Sequence, residues 1–387
     1  MKELIKQLWN QTFPTKTHPR LFFSPGRVNL MGEHIDYNGG FVFPTALSIG
    51  TYGMIQLRDD SLIQMISGNF LHQGLYSFEL SQLQYRKSDD WTNYVKGVIH
   101  TLIQKGHVID RGFDLVLYGD LPNSSGLSSS ASVEVLIAVM MNDLFGLGLT
   151  KPQIAVLGKE VENHYVGVNC GIMDQFVIAC GKKDHALLLN TTTLEYEEVP
   201  LNLGEYQIVI CNSLVKRGLV DSKYNERRRD CEMALTTLQA HLPIHALCDL
   251  DMVSFQQVKH LLHGNPLLRA RHAISENDRT KQAAVLLRQG DFEGFGALIT
   301  KTHESLRDDF EVSISQLDTL VNLALEHGSI GARMTGAGFG GCTVNLVKKS
   351  DYPAFEKAIQ DGYFNMYQQH CEIYVGTPSD GTSEVIS

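Results

Sequence analysis

The sequence contains no C-x-x-C pair, although it has seven cysteines, Cys170, Cys180, Cys211, Cys231, Cys248, Cys342 and Cys371. An odd, widely spread set without paired spacing excludes a zinc ribbon or a dithiol redox motif and fits reduced thiols in a cytosol. Long apolar runs are also missing: the most apolar stretch, Val135 to Met141, falls far short of the ~20 residues a membrane-spanning helix needs. The first residues, Met1 to Phe13, are amphipathic and lack the apolar segment and small-residue cleavage site of a secretion signal. A soluble, cytoplasmic protein is expected. Positive charge is short as well, with 33 Lys and Arg against 43 Asp and Glu and a formal net charge of -10. Such a field repels polyanions and argues against nucleic acid or an anionic membrane as partner. The compact basic cluster Arg227-Arg228-Arg229 lies in a polar helical stretch and reads as a solvated helix face without a function. Low-complexity segments and internal repeats are absent too.

What is present is an ordinary globular composition, 43% hydrophobic and 20% charged, over 387 residues, a length beyond what one core usually serves. Two domains are expected, 1–195 and 196–387, with no Pro- or Gly-rich linker to mark the boundary near Glu195. Strand patterns occupy Thr51–Leu57, Gln64–Ser67 and Gly112–Tyr118, and return at His185–Leu189 and Tyr206–Cys211. Helices are expected at Asn93–Lys105 from apolar residues at helical spacing, at Ser129–Leu144 from its strong apolarity, and at Gln153–Tyr165 after a Pro152 start signal. Beyond Lys216 long helices dominate, Tyr224–Leu238 and a stretch around Arg269–Arg288, before a strand at Cys342–Val347. This mixed order predicts an α+β fold rather than a strictly alternating α/β sheet.

Three motifs carry chemistry. The first, Pro122 to Ser132, is a small-residue loop between a strand and the helix from Ser129. Such a loop exposes unpaired backbone N–H groups at the positive end of a helix, which is an anion site. Its hydroxyls add donors, and one of them can ligate a magnesium ion that bridges phosphates. The plain alternative is a serine-capped helix after a turn. No G-x-x-x-x-G-K-[ST] pattern exists anywhere, so the P-loop is excluded as the route to a nucleotide. The second motif, Gly336 to Gly341, formally matches G-x-G-x-x-G, but a strand-like segment follows it instead of a helix, and the dinucleotide reading fails on that context. A tight hairpin turn, or a backbone that comes close to a ligand, remains. The third, Pro25 to Gly40, packs Arg27, Glu33, His34 and Asp36 into ten residues bounded by glycines. Mixed donors and acceptors at this density suit a polyhydroxylated ligand, although a solvated polar loop has the same composition. The Glu-His pair does not continue as H-E-x-x-H, so zinc is not expected.

Together the three stretches resemble the GHMP family of small-molecule kinases, and the third resembles the motif of its galactokinase branch. Glu162 and the run Cys170-Gly-Ile-Met-Asp-Gln175 extend the similarity, which covers the whole chain in order and spacing. The resemblance implies two domains, an N-terminal mixed sheet with helices (ribosomal protein S5-like) and a C-terminal α+β domain, with the active site between them. It implies a sugar kinase that moves the γ-phosphoryl group of ATP to the C1 hydroxyl of galactose, the first committed step of galactose breakdown. By the same resemblance Asp174 faces the C1 hydroxyl as proton acceptor and Arg27 stabilises the transition state. Glu33, His34, Ile35, Asp36, Gly171 and Tyr224 hold the sugar. The phosphates are cradled by Ser124, Ser125, Gly126, Leu127, Ser128, Ser129 and Ser130, while Ser67, Trp91 and Asn93 match positions near adenine. Ser130 and Glu162 match the family's Mg2+ ligands.

Galactose and ATP are then the expected partners of a monomer or weak oligomer. Many family members carry glycine at Ser124 or Ser125, a departure expected to alter nucleotide affinity at most. The rival readings are an N-acetylgalactosamine kinase and an inactive galactose sensor. Relatives of the sensor type lack part of the Ser-Ala stretch that is present here as Ser130-Ala131.

Overall fold

A computed structural model of the chain describes residues 1–16, 18–121, 126–215 and 220–386. Ser124 and Ser125 lie outside the described residues. Among the described residues the strands form three sheets. The largest runs in the order Ser383–Glu384, Arg20–Asn29, Pro44–Leu57, Phe113–Gly119, Leu62–Ser67, Tyr76–Glu79, and its only parallel pair is Leu62–Ser67 with Phe113–Gly119. Side chains of a strand alternate between faces, and here each face finds its own cover. Phe113, Leu115 and Leu117 pack into the main core with the helices Ser129–Leu144 and Met173–Cys180. Met54 and Val116 point the other way, onto Ile5 and Trp9 of the helix Lys2–Thr12.

The helix Ser129–Leu144 is apolar nearly all round, as its sequence SSASVEVLIAVMMNDL requires of a helix sunk into a core. A second sheet, Ser329–Thr335, Cys342–Lys348, Tyr206–Asn212, Glu372–Gly376, is antiparallel throughout. The inner strand Cys342–Lys348 is buried on both faces although CTVNLVK alternates: Cys342, Val344 and Leu346 enter one core, and on the other face Asn345 Nδ2 is satisfied by the Val209 carbonyl and Thr343 Oγ1. On one face lie Ile208, Ile210 and Val344, which share a core with Val28, Leu30 and Phe43 from the first half of the chain. On the other, Val209 and Ala332 meet the helices Ser315–Glu326 and Tyr352–Tyr367. The small third sheet pairs Phe41–Val42, His185–Asn190 and Tyr196–Pro200. The two halves therefore meet through packed apolar side chains, with a cleft above the contact.

Two sequence expectations need correction. The helix expected over Gln153–Tyr165 is an α-helix only across Lys151–Glu160, begun by a Thr150 capping box; Val161–Val166 is a π-helical turn. Apolar periodicity cannot register one extra residue in a turn. The second correction concerns Arg227, which is 8% exposed rather than solvated. Its guanidinium donates to the carbonyls of Phe310 at 2.8 Å and Glu311 at 3.1 Å, the kind of satisfied burial that an Arg-rich sequence conceals.

Candidate active site

The cleft between the halves has a volume of about 340 Å³ and is lined from both of them. Strand Arg20–Asn29 delivers Arg27, whose buried guanidinium forks onto Asp174, Nε to Oδ1 and Nη2 to Oδ2, both at 2.8 Å. Nη1 donates to the carbonyl of Gly126 at the start of the serine loop. Asp174 sits in the first turn of Met173–Cys180, and its Oδ2 also accepts from the Ser128 hydroxyl. Ser128 reaches it because its backbone is left-handed, φ 63, immediately before the helix Ser129–Leu144. Sequence reasoning missed this contact, since nothing in a run of serines marks which one turns back.

The Pro25 to Gly40 motif lines the opposite wall through Glu33, His34, Asp36 and Tyr37. Glu33, 2% exposed, accepts from Gly336 N through Oε1, and from Asn29 Nδ2 at 2.7 Å and Arg333 Nη1 at 3.0 Å through Oε2. Glu33 lines the cleft, and its Oε1 takes one hydrogen bond, which leaves that oxygen a further lone pair. His34 places Nε2 3.2 Å from the Ala337 carbonyl and Nδ1 2.9 Å from the Tyr37 hydroxyl. A carbonyl only accepts, so Nε2 carries the proton and Nδ1 accepts from Tyr37. Burial, aided by His272, lowers the His34 pKa to about 3, consistent with that neutral ring. Burial and then the charge of Asp174 push Asp36 up to about 6. Gly171 faces it closely: a Cβ there would overlap the Asp36 carboxylate. Tyr224 lines the cleft and its ring lies 5.6 Å from those of His34 and Tyr37. Ile35 is wholly buried in the core and does not line the cleft.

The glycine run is both of the things its sequence allowed. It turns the hairpin between Ser329–Thr335 and Cys342–Lys348, with positive φ at Gly336, Gly338, Gly340 and Gly341. It also brings Gly336 and Ala337 to the cleft. Arg333, on the first strand of the hairpin, was invisible in the sequence analysis because a strand arginine usually faces water.

At the other end, Gly126, Ser128, Ser129 and Ser130 line the cleft, while Leu127 is buried behind it. Ser130 Oγ donates to Glu162 Oε1 at 3.0 Å. Burial first, and then the Asp174 charge, raises the pKa of Glu162; burial and the Glu162 charge raise that of Glu134 behind it. A corner this poor in positive charge, built from hydroxyl and carboxylate oxygens, suits a hard divalent cation. Among the described residues no three His, Cys, Asp or Glu side chains are arranged to hold a metal by themselves. A magnesium ion here would take its remaining ligands from phosphate and water. Ser67, Trp91 and Asn93 do not line the cleft. Ser67 caps a 3₁₀ turn through Asn69 N, Trp91 donates to Gln73 Oε1 at 2.9 Å, and Asn93 donates to the carbonyls of Arg86 and Asp90.

A two-domain frame in which serines lead into a buried helix beside a carboxylate and an arginine fits a small-molecule kinase of the GHMP class. The chain accordingly matches the models described as GHMP kinases N terminal domain over residues 93–182, GHMP kinases C terminal over 283–374, and Galactokinase galactose-binding signature over 7–57. It is 48% identical to the galactokinase of Enterococcus faecalis over 100% of both chains, and 50% identical to that of Clostridium acetobutylicum over 95% of both. Among solved structures, the Lactococcus lactis galactokinase complexed with galactose superimposes with a TM-score of 0.97 at 41% identity, covering 99% of this chain and 100% of that one. Mevalonate kinase, at 19% identity and a TM-score of 0.66, shares the fold. The chain belongs to the galactokinase family.

Proposed function

We propose that this chain transfers the γ-phosphoryl group of ATP to the C1 hydroxyl of α-D-galactose, giving galactose 1-phosphate and ADP. The observation that carries the proposal is Asp174, gripped by Arg27 and Ser128 at the point where the sugar motif and the serine loop meet. Phosphoryl transfer has a loose transition state, so in-line positioning and charge neutralisation do most of the work. Arg27 offers a fixed planar cation next to the transferring group. Asp174 orients the C1 hydroxyl and accepts its proton late, as the oxygen becomes acidic on bonding to phosphorus.

In this proposal the further lone pair of Glu33 Oε1, the Asp36 carboxylate, the His34 edge and Tyr224 hold ring hydroxyls. Gly171 keeps the wall thin, and Ile35 acts from the core by fixing the motif's turn. Gly126 to Ser130, continuing from Ser124 and Ser125, bind phosphate through backbone N–H groups and hydroxyls, with Leu127 anchoring the loop. The adenine end is assigned to the neighbourhood of Ser67, Trp91 and Asn93, whose polar atoms are largely committed to their own loops. Ser130 and Glu162 would hold a magnesium ion, which supplies positive charge against the phosphates. The proposal keeps two domains, 1–195 and 196–387, in a cytoplasmic monomer or weak oligomer.

A coupled ADP-release assay across galactose, N-acetylgalactosamine, glucose, mevalonate and homoserine tests it. Turnover is expected with galactose far above the others. Preference for N-acetylgalactosamine would move the assignment to that substrate, and sugar binding without turnover would make the chain a sensor.

A further inference from the structure

Behind the corner where Ser130 meets Glu162 lies a closed polar group that the proposed chemistry does not use. Glu134, one turn beyond Ser130 on the same helix, and Gln175, directly after Asp174, are both fully buried. Gln175 Nε2 donates to Glu162 Oε2 at 2.6 Å and to Glu134 Oε2 at 3.2 Å. Its two hydrogens thus serve two carboxylates, and the reversed amide would turn its oxygen towards both, so the surroundings select this orientation. Gln175 Oε1 and Glu134 Oε1 find no hydrogen-bond partner among the described residues. Buried polar atoms left in that condition are unfavourable, which suggests that the group is retained for something other than stability.

The helix Lys151–Glu160 supplies an independent sign. It carries Gly158 in its interior, where glycine is less favourable than alanine. Its φ is not among the positive ones, so the backbone does not demand glycine. Space does: a Cβ would stand 2.9 Å from Gln175 Cγ and 3.8 Å from Glu134 Oε2.

We infer that Gln175 is a positioning residue: anchored on Glu134 and given room by Gly158, it aims the Glu162 carboxylate so that Oε1 faces Ser130 and the nucleotide's cation. The inference rests on the magnesium assignment made under the proposed function. Outer partners of a ligating carboxylate typically change metal affinity ~10–100-fold when removed.

The experiment is calorimetric titration with ADP in magnesium and in EDTA, read as the ratio of the two dissociation constants, with galactose affinity measured alongside. Gln175→Met is expected to shrink the magnesium ratio ~10-fold or more while leaving the EDTA value and galactose affinity unchanged. Gly158→Ala should act in the same direction by displacing the Gln175 stem. Glu134→Gln keeps an acceptor for Gln175 and should preserve the wild-type ratio, whereas Glu134→Met should not. Glu162→Ala calibrates the assay. If it leaves the ratio intact, the magnesium assignment fails and takes the inference with it. If Glu162→Ala removes the ratio while Gln175→Met and Gly158→Ala keep it, the assignment stands and the inference is overturned. Should Gln175→Met fail to bind galactose, Gly158→Ala decides by the same criterion.

Discussion

Asp174 is held from two sides, by the Arg27 fork and the Ser128 hydroxyl, and its side chain remains about 30% open towards the cleft. Such a carboxylate has its orientation fixed and one face left for a substrate proton. Asp174→Asn preserves size but replaces one of the two oxygens met by the Arg27 fork with an N–H2, which faces the guanidinium in either orientation and cannot accept a proton. We expect kcat to fall ~10² to 10⁴-fold with nucleotide affinity retained, measured by steady-state kinetics and ADP titration. Near-normal turnover would remove Asp174 from the reaction. That Arg27 and Asp174, 147 positions apart, serve one reacting centre follows only from the resemblance, because no local pattern connects the two. The Ser128 contact and the Gln175 bridge stayed hidden, since they depend on one left-handed backbone angle and on which way a buried amide points.

At the scale of elements, the sugar motif is fastened to the glycine hairpin by one buried cation. Arg333 donates to the Leu30 carbonyl at 3.0 Å, the Met334 carbonyl at 2.7 Å, the Asn29 carbonyl and Glu33 Oε2 at 3.0 Å. Because Glu33 also takes the Gly336 N–H, the wall of the cleft and the turn that meets it share one hydrogen-bonded group. Removing one member of a buried ion pair strands the other charge, typically at about 3–5 kcal/mol. Arg333→Met is therefore expected to lower unfolding free energy by about that much in urea, and Arg333→Met with Glu33→Gln to cost clearly less than the two single losses together. Strictly additive losses would mean that the pair does not act as a unit. The strand Phe113–Gly119 was legible from its alternation and the helix Ser129–Leu144 from its long apolar run. The π turn that carries Glu162 was not, because it differs from a helix by a single inserted residue.

For the whole molecule, the shared core of Val28, Leu30 and Phe43 with Ile208, Ile210 and Val344 joins the halves, and a cluster of buried titratable groups sets how that assembly meets acid. Burial is the main reason that His34 is lowered to about 3 and His272 to about 4, both below the unfolded value near 6.5. The unfolded chain therefore takes up these protons first, and stability is lost as pH falls from 6.5 towards 4. Asp36 has the opposite sign: raised to about 6, it binds its proton first in the folded protein, and its penalty is relieved as pH falls below 6. Glu134 and Glu162, also raised by burial, act in the same sense as Asp36, so the histidine contribution is read by difference: His272→Asn should shrink the change in unfolding free energy between pH 7 and pH 5 by on the order of 2 kcal/mol. Denaturation of both proteins at the two pH values checks this, and an unchanged pH dependence in His272→Asn would contradict it. The α+β class was readable from the order of elements. The joined core was not, since apolar residues in a strand do not announce which half of the chain will cover them.

The central claim is that phosphate arrives on the C1 oxygen of galactose. Proton-coupled phosphorus NMR of the product, with the coupled proton assigned, tests it most directly, because a phosphate on C1 couples to the anomeric proton, one on C2, C3 or C4 to another ring proton and one on C6 to two protons. The account predicts a single sugar phosphate whose signal is a doublet coupled to the anomeric proton, formed only with ATP and galactose both present. A triplet, coupling to another ring proton, or no phosphate ester at all, would contradict it.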